Sequence, residues 1–100
     1  MNRLDVYRPK AGGRFLWLII QSNLVSGLNT RIVVPLEKQE TAPPPMRRLN
    51  PTFRIEGETF VMLTQFMAAV QTRDFGDSVT TLSGHESEIT GAVDFLMHGY

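Results

Sequence analysis

Phe15-Leu16-Trp17-Leu18-Ile19-Ile20, then Gln21-Ser22-Asn23-Leu24-Val25, then Arg31-Ile32-Val33-Val34-Pro35-Leu36: this stretch decides the fold. Its first six residues are apolar without a break and rich in aromatic and branched side chains. So short and continuous a run reads as a strand covered on both faces. Trp17 inside it reads as core, not as a ligand-stacking residue. Gln21-Ser22-Asn23 ends the strand, and Leu24 and Val25 follow in a segment dense in Ser, Gly and Asn. Such an adjacent pair is either a lid over the core or a contact surface, and the residues alone favour the lid. Residues 31–36 form the next strand. Pro35 cannot donate a ladder hydrogen bond, so that strand must end there, lie at an edge or bulge.

Toward the N-terminus, Leu4 and Val6 alternate with Arg3, Asp5 and Tyr7, the pattern of a half-buried strand. Pro9-Lys10-Ala11-Gly12-Gly13-Arg14 is turn chemistry, so the first element is a hairpin. Past Leu36, residues 37–52 turn polar and proline-rich, with Pro43-Pro44-Pro45 and Asn50-Pro51. They read as a long surface excursion, and one proline triplet is a weak signal for an SH3-type ligand. Phe53-Arg54-Ile55 and Thr59-Phe60-Val61-Met62-Leu63 flank Glu56-Gly57-Glu58, a hairpin with Gly as its left-handed residue. Phe60 to Val70 carries both strand-like and helix-like spacing, and is read as strand, turn, strand. The last element is a helix. Ser83 and Glu86 have capping-box spacing, and Ile89, Ala92, Val93 and Leu96 make one apolar stripe. Phe95 and Met97 flank that stripe, His98 points away from it, and Gly99 stops the helix.

A chain of 100 residues suits one domain spanning residues 1–100. The absence of Cys excludes disulfide scaffolds, Cys-ligated zinc and thiol nucleophiles. The longest apolar run, six residues, falls far short of the roughly 20 a membrane span needs, so a soluble, cytoplasmic protein is expected. Ten basic and ten acidic residues cancel, which argues against a general nucleic-acid or membrane binder. Residues 1–50 nevertheless carry +5 and residues 51–100 carry −5. Folding is expected to intermix the halves rather than build one basic and one acidic face.

The search for catalytic groups yields little. No glycine-rich phosphate loop is present, and His85 and His98 lack a third ligand at metal spacing. Asp74 and Asp77 flank Gly76 as a solvated turn, and nothing marks a nucleophile–base pair. The expectation is a protein that is not an enzyme and uses neither metal nor cofactor.

Residues 20–25, the strand Arg31-Ile32-Val33-Val34-Pro35-Leu36, and Leu82-Ser83 with the acidic helix ending Phe95-Leu96-Met97-His98-Gly99-Tyr100 resemble the CcdB toxin family over nearly the whole chain. The resemblance implies a mainly β SH3-like antiparallel barrel with one C-terminal helix, forming a two-fold homodimer. It implies a toxin of a toxin–antitoxin system, held in check by a CcdA-like antitoxin, that wedges into the A subunit of DNA gyrase and traps the cleaved DNA complex. It also implies no catalysis and no direct nucleic-acid contact. Carried onto this chain, the target-binding residues are Leu24, Val25, Asp94, Met97, His98, Gly99 and Tyr100. The family's usual terminal Trp-Gly-Ile is here His98-Gly99-Tyr100, of which only the Gly matches. An interaction module with another target, or an endoribonuclease of the same fold, are the alternatives.

Overall fold

The computed structural model describes residues 1–99, so Tyr100 lies outside the described residues. Strand β3 (Thr30–Lys38) is its spine. One edge pairs antiparallel with β2 (Phe15–Ile19), placing Trp17 opposite Pro35 and Ile19 opposite Val33. The other edge changes partner midway. Thr30 to Val33 pair with β6 (Ala68–Gln71), and Leu36 to Lys38 pair with β5 (Glu58–Met62). Pro35 sits at the changeover, and its carbonyl accepts the Leu63 amide at 2.9 Å. Its main chain therefore faces the junction between two partners, where a missing N–H interrupts no ladder. Pro35 thus neither ends the strand nor puts it at an edge.

The remaining strands are β1 (Asp5–Pro9), β4 (Thr52–Ile55) and β7 (Phe75–Thr81), and the sheet runs β4-β5-β3-β2-β1-β7 with β6 beside β3. A short 3-10 turn at Thr72–Asp74 joins β6 to β7, and Lys10 N donates to Asp74 O at 2.8 Å. The outer strands of the five-strand path β6-β3-β2-β1-β7 are thus sequence neighbours, and the sheet curls into a half-barrel. The β4–β5 hairpin turns on Glu56 (φ 53°) and Gly57 (φ 81°), both left-handed, as a two-residue turn demands. Strand β7 takes up Gly76 and Asp77, which the sequence placed in a solvated turn. At the sheet edge most of its side chains meet solvent, so it lacks an apolar signature. Gly76 passes so close to β1 that a Cβ would stand 3.0 Å from Arg8 O.

The expected cover on both faces of β2 holds only in part. Leu16 and Leu18 are buried on one face, whereas Phe15 and Trp17 on the other are half-buried. Trp17 is thus not the full core residue its run suggested. Val6, Leu16, Leu18, Val34, Leu36, Phe53 and Met62 form the main core with Ile89 and Ala92 of the C-terminal helix α1 (Glu86–His98). On the opposite face Ile19, Val33 and Phe75 gather Tyr7, Trp17 and Val70. Trp17 meets Phe75 edge-on, with ring centroids 5.2 Å apart. Helix α1 departs from expectation at both ends. Ser83 lies in a separate 3-10 turn, so His85 precedes the helix and no capping box forms. At the far end Leu96 and Met97 are exposed, while the Arg48 guanidinium covers Phe95 at 4.7 Å from its ring centroid. Gly99, at φ 80°, stops the helix and returns its amide to Phe95 O at 2.9 Å.

The ion pairs Arg3–Glu86, Arg8–Glu56 and Lys38–Glu58 join the basic half to the acidic half, so the charges do intermix. The hydrogen bond to Glu58, with the charges of Glu58 and Glu40, holds Lys38 above its ordinary pKa. Among the described residues no helix is long and apolar enough to cross a membrane.

Candidate interaction surface

The segment between β2 and β3 is fixed by its polar residues. Ser22 Oγ accepts the Leu24 amide at 3.1 Å and caps a 3-10 turn at Asn23–Val25. Gln21 donates to Val25 O and Thr30 O at 3.2 and 3.3 Å, and its amide oxygen accepts Ile32 N at 3.0 Å. From inside, the buried Arg31 guanidinium donates to the carbonyls of Ser26, Leu28 and Thr30 at 2.8, 2.6 and 2.8 Å. With the backbone held this way, the apolar side chains are turned outward. Leu24 is 95% exposed, Leu28 56% and Val25 46%. The lid expected from the residues alone is overturned: the core is closed beneath the loop without them, and Leu24–Val25 is an outward surface.

The second candidate segment is the end of α1, where Asp94, Met97, His98 and Gly99 are all exposed. Arg3 ties the loop to the first half of α1. Its amide donates to Asn23 Oδ1 at 2.8 Å, while its guanidinium reaches Glu86 Oε2 at 2.8 Å and Thr90 Oγ1 at 3.1 Å. Thr90 and Met97 are seven residues apart, which puts them on roughly one helix face about 10 Å apart along the axis. The loop is therefore fastened to a helix face that Met97 continues about two turns further on. Tyr100, also a candidate, lies outside the described residues. Sequence reasoning missed Arg3, Gln21 and Arg31, the residues that hold this surface. The placement of Arg31 at the head of β3, in alternation with Val33 and Pro35, was the available sign that it points inward.

Preset apolar side chains on a pinned backbone suit binding, because little flexibility is lost when a partner docks. Among the described residues no group of three His, Asp or Glu side chains is placed to hold a metal. His85 pairs with Glu88 at 3.1 Å and stands edge-on to Phe53.

A curled antiparallel sheet closed by one C-terminal helix is shared with proteins named as toxins and endoribonucleases. An endoribonuclease from a Mycobacterial species superposes with a TM-score of 0.76 at 16% identity, over 97% of this chain and 90% of that one. A Mycobacterial endoribonuclease in complex with its cognate antitoxin gives 0.76 at 18%, over 97% and 94%. Mycobacterium tuberculosis toxin MazF-mt6 gives 0.75 at 14%, over 93% and 95%. The chain itself belongs to the CcdB family, whose model, described as CcdB protein, matches residues 3–99.

These neighbours correct one expectation. The reading of a non-enzyme rests on the lack of a recognisable nucleophile–base pair in the sequence and on what the CcdB resemblance implies. Two proteins named as endoribonucleases share this fold at identities of 16 and 18%, where catalytic residues need not be recognisable by eye. The missing motif is therefore no ground for excluding catalysis.

Proposed function

We propose that this chain is the toxin of a toxin–antitoxin module and that it acts by docking on the A subunit of DNA gyrase. The docking surface is the Leu24–Val25 loop with the exposed end of α1. The observation that carries this is the 95% exposure of Leu24 on a backbone pinned by Gln21, Ser22 and Arg31. A large apolar side chain held rigidly in water costs solubility, and it suits a partner's pocket. Family membership supports the toxin reading, and the neighbour solved with its cognate antitoxin supports an antitoxin partner. A two-fold dimer would place two such surfaces side by side.

The test is calorimetric binding of the purified gyrase polypeptide to the chain and to Leu24→Asp. Binding should weaken by more than about tenfold in the variant, because a charge would enter an apolar pocket. Expression of the chain should arrest a host, and a co-expressed antitoxin should restore growth. A second reading, RNA cleavage, is favoured by the two neighbours named as endoribonucleases. New RNA 5′ ends on induction, with no gyrase binding by the purified chain, would replace the first reading with this one.

A further inference from the structure

Arg31, Val33, Pro35 and Glu37 alternate along the face of β3 opposite the main core, which takes Val34 and Leu36. The two charged residues at its ends fare differently. Arg31 is satisfied by three carbonyls. Glu37 has a side chain only 4% exposed, and its Oε2 has no hydrogen-bond partner. Arg14 Nε stands 3.3 Å from that oxygen without the alignment of a hydrogen bond. The Arg14 side chain is 68% exposed and its guanidinium lies over the Phe15 ring, 5.0 Å from the centroid. An ion pair whose cation sits in solvent contributes little, whereas a buried carboxylate oxygen left unbonded is costly.

Glu37 lines a groove of about 510 Å³, with walls from Phe15, Pro35, Pro43, Leu63 and Phe66. Phe66 is 57% exposed there, although it is a large aromatic side chain. An apolar slot with a carboxylate in it matches one kind of side chain: a long aliphatic stem with a cation at its end. A guanidinium fits best, since its fork can satisfy a carboxylate with two parallel bonds. A nucleic-acid backbone fits poorly, because its phosphates would meet the Glu37 charge.

We propose that this groove docks an extended segment of a partner protein that inserts one arginine side chain, or less favourably a lysine, onto Glu37. Arg14 is then the side chain the incoming cation displaces. The site lies six residues along β3 from Arg31, about 20 Å from the loop that Arg31 pins. It is thus separate from the gyrase-type surface and does not depend on that reading.

The experiment is nuclear magnetic resonance titration of the isotope-labelled full chain with the peptide acetyl-Leu-Arg-Leu-amide. Two controls are its Gln counterpart and a single-stranded RNA oligonucleotide. Saturable shifts are expected at the amides of Glu37, Thr41, Leu63 and Phe66, with the Gln peptide at least about tenfold weaker, as loss of a charge-assisted bond implies. Glu37→Gln, which keeps the shape, should reduce the Arg peptide to the affinity of the Gln peptide, with a melting curve confirming the fold. Phe66→Ala, at an exposed position, should also weaken binding. Arg14→Ala should tighten it, because the competitor is gone. Equal affinity for the Arg and Gln peptides, or no shifts at these amides, overturns the proposal. So does RNA shifting the same amides with Arg14→Ala weakening it, since that would make the groove an anion site.

Discussion

Asn50 shows how much one side chain can hold. It is 7% exposed, its Oδ1 accepts Met46 N at 2.9 Å, and its Nδ2 donates to Met62 O at 2.9 Å and Gln65 Oε1 at 2.8 Å. The proline-rich excursion is thereby fastened to β5 and to the turn after it. Asn50→Ala should cost about 2–3 kcal/mol, since buried partners are left unpaired. Asn50→Asp keeps the acceptor toward Met46 but sets a negative oxygen against the Met62 carbonyl. At neutral pH it should therefore be at least as destabilising as alanine, and should recover as acid protonates it. Urea unfolding of both variants at neutral and mildly acid pH checks this. An aspartate variant as stable as wild type at neutral pH would show that the site is wet and adaptable. None of this was legible in the sequence, where Asn50-Pro51 reads as turn punctuation. Arg31 was legible only in its direction, through the alternation with Val33 and Pro35; its three acceptors are main-chain carbonyls, which any residue supplies.

Among the elements, legibility followed burial. The β2 strand, the hairpin at Glu56-Gly57-Glu58 and the Ile89 and Ala92 positions of the helix stripe were read correctly, because each buries a face or needs a special backbone angle. Leu96, read into the same stripe, is exposed. Strand β7 was missed because it buries little, and the capping box failed because an extra 3-10 turn separates Ser83 from the helix. Two glycines give predictions of opposite sign at this scale. Gly91 lies within α1, exposed, with no atom within 4 Å of where a Cβ would stand. Gly91→Ala should stabilise by about 0.5–1 kcal/mol by limiting the unfolded chain's freedom. At Gly76 a Cβ would meet Arg8 O at 3.0 Å and Lys10 Cα at 3.2 Å, both main chain. Backbone in a paired strand yields poorly, so Gly76→Ala should destabilise by about 1–3 kcal/mol. Thermal unfolding of the two variants side by side reads both signs. A destabilised Gly91→Ala would mean that this helix face packs on something beyond this chain.

At the scale of the whole molecule, zero net charge and ion pairs that join the two halves leave little long-range repulsion between copies. Apolar surface also stands at the helix end, where two copies could share it. Met97 is 58% exposed and Leu96 37%, at the end of a helix whose buried stripe stops short of them. A two-fold contact through Leu96 and Met97 would cover both residues twice and extend the stripe across the axis, leaving the Leu24–Val25 loop and the last residues after Met97 to the target. Such a contact presents each residue near its own counterpart, so a charge placed there repels itself. We therefore expect the chain to sediment at twice 11.3 kDa at micromolar concentration. Met97→Glu should raise the dissociation constant by at least about tenfold, and added salt should recover part of that loss by screening the two carboxylates. The substitution is at the surface, so monomer stability should change by no more than about 0.5 kcal/mol. A wild-type chain that sediments as 11.3 kDa throughout that range would rule out the dimer. A dimer that tolerates Met97→Glu would move the axis away from the helix end, leaving that end to the target alone.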